Sequence, residues 1–179
     1  ADIDLGTWYP EGGMFKIIEG FVSLAKELGV NIITEQEVRS LKISGNRVEA
    51  IQTSNGTYYA DGIIAACDYH HFDQKILAPE YRQYTQAYWD KRVLAPSSIL
   101  YYVGVKKKLK NLLHHNLFFD ASFPEHAAEI YDEPAWPKNP LFYVCAPSIT
   151  DPTVAPEGYE NLFFLIPLAP GLTETEEIK

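Results

Sequence analysis

The chain has 179 residues, 46% of them apolar and 13% aromatic, which is enough to bury the core of one domain or of one domain with a subdomain. Its 24 acidic residues outnumber the 15 basic ones and give a net charge of -9, which argues against a phosphate backbone, and so against nucleic acid, as a partner. The two cysteines form no CxxC pair, no signal-peptide pattern is present, and no apolar run approaches the ~20 residues of a membrane span. These features predict a cytoplasmic protein.

The first half of the chain has the pattern of one helix followed by a β-meander. Apolar residues recur at helical spacing up to Leu28, and Gly29 supplies a C-terminal stop, which predicts a helix over residues 14–28. The turn signals Ser44-Gly45-Asn46 and Asn55-Gly56 separate runs rich in β-branched residues. These β-type runs are residues 30–33, 38–43, 47–53 and 57–60.

The run Gly62–Cys67 is continuously apolar and does not alternate with polar residues. Such a run is typical of a strand buried on both faces and implies a central parallel sheet. Helix, meander and buried strand together predict part of an α/β layer.

The second half changes from helical to β character. Residues between Asp73 and Trp89 recur at helical spacing around a break at Pro79, and residues 125–131 predict a short helix. Four aromatic-rich runs predict the strands of one mixed or antiparallel sheet: Ser97–Val105, His114–Phe119, Leu141–Ala146 and Asn161–Pro167. The expected fold class is therefore mixed, α+β with an α/β part.

Both ends of the chain have the character of an internal segment. The sequence opens at Ala1 without an initiator Met and reaches an aromatic turn at Thr7–Pro10 almost at once. The polar run Glu174–Glu177 at the other end is expected to begin a helix. We expect the chain to be a fragment of a longer protein.

Five histidines raise the question of a metal site. His114 and His115 fall in a predicted strand, where adjacent side chains point to opposite faces, so we expect no metal ion. Asp151 and Glu157 lie in the loop 147–158, where Asp before proline is an ordinary choice for a turn. No paired base is visible beside them, so we expect neither carboxylate to act as a proton acceptor.

Several segments carry a resemblance to a known family. YYVGVKKKLKNLLHHNLFFD at 101–120 and LFYVCAPSITDPTVAPEGYENLFFLIPL at 141–168 resemble the phytoene desaturases. WYPEGGM at 8–14 and the stretch from GVNIITEQEV to DGIIAACDYHH at 29–71 are similar to the same family and, more broadly, to the flavin amine oxidase fold. The resemblance extends over nearly the whole chain.

The resemblance implies an FAD-dependent oxidoreductase of carotenoid biosynthesis, a phytoene dehydrogenase that removes hydrogen from a long apolar carotenoid. In that family a dinucleotide-type fold binds FAD, and a separate region of sheet and helices receives the substrate. The implied division of this chain is a substrate-side strand or turn at 1–12, part of the FAD-binding domain at 13–72 and an incomplete substrate-binding domain at 73–179.

The same resemblance implies a few cofactor positions. Val38 matches the strand residue whose backbone meets the edge of the adenine, and Gly12 with Gly13 lies where the chain passes toward the flavin region. The sequence has no G-x-G-x-x-G, the turn that places the FAD pyrophosphate at a helix N-terminus. We therefore expect this chain alone to bind no FAD and to be inactive, and the full-length parent to carry both cofactor and activity.

The substrate implied by the resemblance is a long apolar polyene, and His115, Tyr143 and Val144 are the candidate substrate-binding residues. His115 is expected in the cavity, and alternation along the predicted strand 141–146 gives Tyr143 and Val144 opposite faces, one packed on the core and one lining a channel. Because such a substrate resides in lipid, contact of the protein with a membrane surface is one of the alternatives that the sequence leaves open.

Other functions remain open at this point. A carotene isomerase, a retinol saturase-like enzyme or an amine oxidase would share the superfamily. A non-catalytic polyene- or lipid-binding module, or a structural and protein-interaction domain, would share the apolar and aromatic composition. An assay of the intact protein for conversion of substrate distinguishes these classes.

Overall fold

The computed structural model describes residues 2–173, and the helix expected to begin at Glu174–Glu177 lies outside them. The helices are α1 (Asp2–Leu5), α2 (Phe15–Glu27), α3 (Tyr69–His71), α4 (Gln86–Trp89) and α5 (Phe123–Tyr131). The strands are β1 (Val38–Ser44), β2 (Arg47–Thr53), β3 (Thr57–Tyr59), β4 (Ser97–Val105), β5 (His115–Phe118), β6 (Phe142–Cys145) and β7 (Glu160–Leu168). One compact unit comprises Gly29–Val93, and the other joins the chain up to Leu28 to the chain from Leu94 onwards.

The unit Gly29–Val93 is built on the predicted meander. β1, β2 and β3 form an antiparallel sheet in chain order. The β1–β2 connection is the two-residue loop Gly45-Asn46, in which Gly45 has a φ of 57°. This left-handed conformation is what a tight hairpin requires and what glycine adopts without steric cost. Residues 30–33, expected to be β-type, form no strand and are exposed.

The prediction of a buried strand at Gly62–Cys67 is wrong for this structure. The segment has no regular secondary structure, Ile64 is 94% exposed, and Cys67 is exposed although its apolar setting suggested burial. A strand needs a partner for its backbone groups, and between residues 2 and 173 no strand pairs with this segment. Both sheets of residues 2–173 are antiparallel. The central parallel sheet was expected to take its other strands from outside this chain, so it stays a prediction.

The helix predicted around Pro79 is broken into short turns. Residues 72–76 form a π-helical turn, Pro79–Tyr81 a 3₁₀ turn, and α4 follows at Gln86. Ala78 is extended with a ψ of 147°, as expected of a residue before proline, which is sterically disfavoured in the helical region. The sequence therefore predicted the helical character of the segment and its break at Pro79, but not the second interruption between Tyr81 and Gln86.

A buried carboxylate organises these turns. Asp73 is fully buried and accepts hydrogen bonds from the Gln83 backbone N–H at 2.9 Å, from Trp89 Nε1 at 3.1 Å and from Gln74 Nε2 at 2.6 Å. Burial alone raises the pKa of Asp73, but these donors outweigh it and leave the pKa below its ordinary value. The Asp73 carboxylate thus links the π-helical turn to Gln83 and to Trp89 of α4. In one continuous helix these residues would lie too far apart to contact it.

The second unit contains the four predicted strands of the second half of the chain. They form one antiparallel sheet in the order β4-β7-β6-β5. His126 fixes α5 to the ends of the central strands β6 and β7. Its Nδ1 accepts from the Leu141 backbone N–H at 3.1 Å, and its Nε2 bonds to the Pro167 carbonyl at 3.0 Å. The mixed α+β class is confirmed.

The hairpin turn gives a direct stability test. A Cβ built at Gly45 or at Gly56 meets nothing within 4 Å, and only Gly45 has a positive φ. We expect Gly45→Ala to lower the free energy of unfolding by about 1 kcal/mol, because the left-handed region disfavours L-residues. Gly56→Ala is the matched control and should change it much less, as measured by urea denaturation. Equal effects at both positions would contradict the hairpin geometry.

Candidate functional site

The four-stranded sheet has two faces with different surroundings. Val144 lies in the core at 3% exposure and packs with Leu162 and Ala146. Its neighbours along β6, Tyr143 and Cys145, point to the other face, because successive side chains of a strand alternate. The residues that share this second face, which we call the open face, are Leu100, Tyr102, His115, Leu117, Tyr143, Cys145, Phe163 and Leu165.

The open face is a continuous aromatic and aliphatic surface. Phe163 contacts the rings of Tyr102 and Tyr143, with centroids 5.3 and 6.4 Å apart, and Tyr143 stacks on His115 at 5.9 Å. Tyr102 is 76% exposed and Leu117 67% exposed. Such a surface suits a flat apolar ligand, which would gain free energy by covering it.

Polar side chains gather where β5 begins and β6 ends. We call this set the polar cluster, and it consists of Tyr9, His114, His115, Tyr143, Cys145 and Asp151. His115 lies opposite Cys145 in the β5–β6 register, and its Nδ1 bonds to the Tyr143 hydroxyl at 2.6 Å. Burial, together with the neighbouring Cys145, raises the pKa of Tyr143, so this phenol keeps its proton.

His114 is the half-buried histidine of the polar cluster, whereas His115 is exposed. Its ring lies edge-on to Tyr9 at 4.6 Å, and its Nδ1 bonds to Thr150 Oγ1 at 2.6 Å. Burial and the adjacent His115 lower the pKa of His114, and the charge of Asp151 opposes them in part. His114 is therefore a neutral imidazole at neutral pH.

Asp151 ties the N-terminal segment to the loop after β6. One carboxylate oxygen accepts from the Gly12 backbone N–H at 2.7 Å, and the other accepts from the Thr153 backbone N–H and hydroxyl at 2.9 and 2.6 Å. The Thr153 bonds are the main cause of the lowered pKa of Asp151, to which the Gly12 and His114 interactions add. The carboxylate remains ionised although only 3% of the residue is exposed.

A cavity of about 430 Å³ opens beside the polar cluster. It is lined by Thr7, Tyr9, Glu11, His114, His115, Thr150, Asp151 and Pro152. An outside molecule can therefore reach both histidines from this side.

The structure brings four of the sequence-predicted site residues together. Gly12 is bonded to Asp151, and a Cβ built at Gly13 would lie 3.7 Å from the Tyr9 hydroxyl. His115 and Tyr143 share the hydrogen bond described above. Whether these residues bind cofactor or substrate stays a prediction.

Val144 and Val38 lie apart from this group. Val144 packs in the core on the opposite side of β6. Val38 belongs to the unit Gly29–Val93, on the edge strand β1, where it lines a largely aliphatic cavity of about 410 Å³. Their proposed roles also stay predictions.

Sequence reasoning misjudged the histidine pair. Adjacent strand residues were expected to point apart, but β5 begins at His115, and His114 precedes it in the turn. The two rings consequently approach to 4.5 Å. Cys145 and Tyr9 carried no signal in the sequence, and Asp151 was interpreted as an ordinary turn residue; its bond to Gly12 spans 139 positions, which no local pattern indicates.

Comparison with known proteins identifies the relatives of the chain. It is 41% identical to a carotenoid 3,4-desaturase of Haloarcula japonica over its whole length, covering 36% of that protein. It is 30% identical to the zeta-carotene-forming phytoene desaturase of Myxococcus xanthus, with 94% of the chain and 32% of that protein aligned. A 1-hydroxycarotenoid 3,4-desaturase of a Flavobacterium species is also 30% identical, over 92% of the chain and 33% of that protein. No protein-family model matches the chain.

These relatives are desaturases that act on carotenoids, a class of oxidoreductase. The resemblance seen in the sequence motifs is confirmed, because the chain is similar over nearly its whole length to carotenoid and phytoene desaturases. It spans about a third of the length of the curated relatives it matches.

Within residues 2–173, no helix has both the length and the apolar character needed to cross a bilayer.

The hydrogen bond from the Gly12 backbone N–H to Asp151 leads to a prediction about pH. Because the folded-state pKa of Asp151 lies below the ordinary value of 3.8, its contribution to stability is present above that value and is lost as the pH falls through the lowered pKa. We expect the protection factor of the Gly12 amide, which is its intrinsic exchange rate divided by the observed rate, to be high at neutral pH and to fall in acid. In Asp151→Asn it should be low under both conditions. Asp120→Asn, at an exposed position, is the control and should behave as the unmodified chain. Hydrogen exchange followed by mass spectrometry measures this protection. An Asp151→Asn profile identical to that of the control would contradict the role of Asp151 in holding Gly12.

Proposed function

We propose that this chain is part of an FAD-dependent desaturase of the phytoene dehydrogenase type, in which the open face forms one wall of the site for a long apolar polyene. The similarity of the entire chain to carotenoid desaturases carries the proposal. The exposed aromatic surface supports it, because a polyene offers only flat hydrocarbon for recognition.

The hydrocarbon substrate determines what the protein can contribute. Unactivated carbon–hydrogen bonds give side chains no acidic proton to remove. The residues of the open face would therefore bind and orient the substrate and exclude water from it, and would not react with it. Tyr102, Phe163 and Tyr143 would lie along the polyene. His115 and the rest of the polar cluster would mark the end of the apolar surface and so set how far the chain slides along it.

FAD, when bound, supplies the electron acceptor that this chemistry needs. The surroundings of Val38 fit the adenine part of that cofactor. An edge strand keeps backbone groups available on its outer side, and aliphatic side chains such as Leu41, Ile51 and Ile63 provide an apolar wall for a flat ring. The sequence contains no G-x-G-x-x-G, so we assign only an adenine contact to this chain and place the pyrophosphate contacts in the rest of the parent protein.

The two faces of β6 give the sharpest test of this proposal in the intact enzyme. Val144→Glu should lower the free energy of unfolding by roughly 3–5 kcal/mol, since it buries an unpaired charge in the core. Tyr143→Glu should leave the protein folded but abolish the conversion of phytoene to coloured products, because the charge faces the hydrocarbon. The measurements are thermal denaturation and pigment analysis.

Tyr101→Glu is the matched control for Tyr143→Glu. Tyr101 is 51% exposed and pairs with Phe164, so it points away from the open face. We expect this variant to keep both stability and activity. A fully active Tyr143→Glu would contradict the assignment of the wall, and carotenoid binding without any turnover by the intact protein would favour a polyene-binding module.

Peripheral contact with a membrane is part of the proposal, because the substrate resides in lipid. The net charge of -9 gives no general attraction to an anionic bilayer. Within the basic run at 106–110, Lys108 donates a hydrogen bond to the Tyr159 carbonyl at 2.9 Å and forms an ion pair with Glu160 at 3.5 Å. The contact would therefore be apolar.

Vesicle binding tests this contact. We expect the fraction of intact enzyme bound to phosphatidylcholine vesicles to change little between low and high salt, because apolar contact is not screened. Vesicles that contain phosphatidylserine are the comparison and should bind no more protein. Release from either vesicle by salt alone would show that the lysine run is the attachment site.

A further inference from the structure

Three potential metal ligands converge within the polar cluster. One ligand atom each from His114, His115 and Cys145 lies within 4.8 Å of the other two. The backbone produces this arrangement, because His115 and Cys145 are register partners across β5 and β6 and His114 stands in the turn immediately before β5. Two imidazoles and one thiol form a donor set typical of zinc.

The hydrogen bonds of His114 leave one of its ring nitrogens free for a ligand. Thr150 Oγ1 lies 2.6 Å from His114 Nδ1 and 3.4 Å from the Pro147 carbonyl oxygen. In the tautomer in which Nδ1 carries the proton, Nδ1 donates to this hydroxyl and the hydroxyl can donate to the carbonyl. The lone pair then resides on Nε2. His114 Nε2 is buried and, among the described residues, has no hydrogen-bond partner. A buried acceptor without a partner is costly and requires an explanation.

The second histidine is oriented by Tyr143. The Tyr143 hydroxyl bonds to His115 Nδ1 at 2.6 Å, and Tyr143 and Cys145 share the open face of β6. In the tautomer in which Nδ1 donates to the Tyr143 oxygen, His115 Nε2 keeps its lone pair for a metal ion. Residues that hydrogen-bond to metal ligands in this way hold the ligand side chains in position.

We propose that His114, His115 and Cys145 form a binding site for a thiophilic divalent transition-metal ion of the zinc type, with a fourth position open to water from the adjoining cavity. Zinc–nitrogen and zinc–sulfur bonds of about 2.0–2.3 Å place tetrahedral ligands about 3.5 Å apart, so the side chains close inward by about 1 Å on binding. Binding releases the thiol proton of Cys145 to solvent. Asp151 is not a ligand, because both of its oxygens already accept hydrogen bonds.

The site does not rest on the proposed desaturase function. Its ligands are defined by the structure of the chain itself and not by a polyene or a flavin. Metal binding and carotenoid conversion can therefore succeed or fail separately.

Cobalt(II) titration of the purified, reduced full chain tests the proposal, because a cobalt–thiolate bond gives a charge-transfer absorption. We expect one Co²⁺ per chain with this absorption, and its loss on addition of Zn²⁺. Cys145→Ser should remove the absorption, and His114→Gln should weaken binding. Tyr143→Phe removes the hydrogen bond to His115 and should weaken binding about tenfold to a hundredfold.

Cys67→Ser is the matched control, because Cys67 is the other cysteine of the chain and is exposed. This variant should bind Co²⁺ as the unmodified chain does. Circular dichroism of every variant in the absence of metal verifies the fold, and His114→Gln supplies a second test if Cys145→Ser does not fold. No charge-transfer absorption in the unmodified chain, or its loss in Cys67→Ser with retention in Cys145→Ser, would overturn the proposal.

Discussion

A slip of β6 by one residue would turn Val144 out of the core and Tyr143 into it, because the side chains of a strand alternate between its two faces. β6 is held against this slip on both sides, since Val144 pairs with Asn116 on β5 and with Phe164 on β7. The same register places Cys145 opposite His115. The core, the open face and the polar cluster therefore depend on one constraint, the pairing of a four-residue strand between two neighbours.

The polar cluster shows how charge is accommodated beside an apolar surface. Asp151 stays ionised because backbone and hydroxyl donors surround it, whereas His114 stays neutral because it is half-buried next to another histidine. The Asp151 bond to Gly12 also fixes the N-terminal turn against the end of the sheet. A polar boundary of this kind gives an apolar ligand a defined end, and in our account it also supplies the donors of a metal site.

Much of the fold could be predicted from the sequence, because its signals are local. The helix α2, the hairpin at Gly45 and the strands β4 to β7 follow from periodicity and turn residues, and the structure has them within a residue or two. The strand at Gly62–Cys67 failed because burial depends on partners that no local pattern reveals. The site was less accessible to prediction. His115 and Tyr143 were proposed from resemblance and strand alternation and stay predictions, whereas the approach of His114 to Cys145 depends on strand register and on the residue at which β5 begins.

The central claim is that the open face, and not the opposite face, receives the polyene. Photocrosslinking tests it most directly, with benzoylphenylalanine placed at Tyr102 on the open face, at Tyr101 on the other face of the same strand, or at Leu117 on β5. On irradiation of the intact enzyme with phytoene, the account predicts adducts from positions 102 and 117 and none from 101, detected by mass spectrometry of the peptides. Adducts from position 101 alone would contradict it.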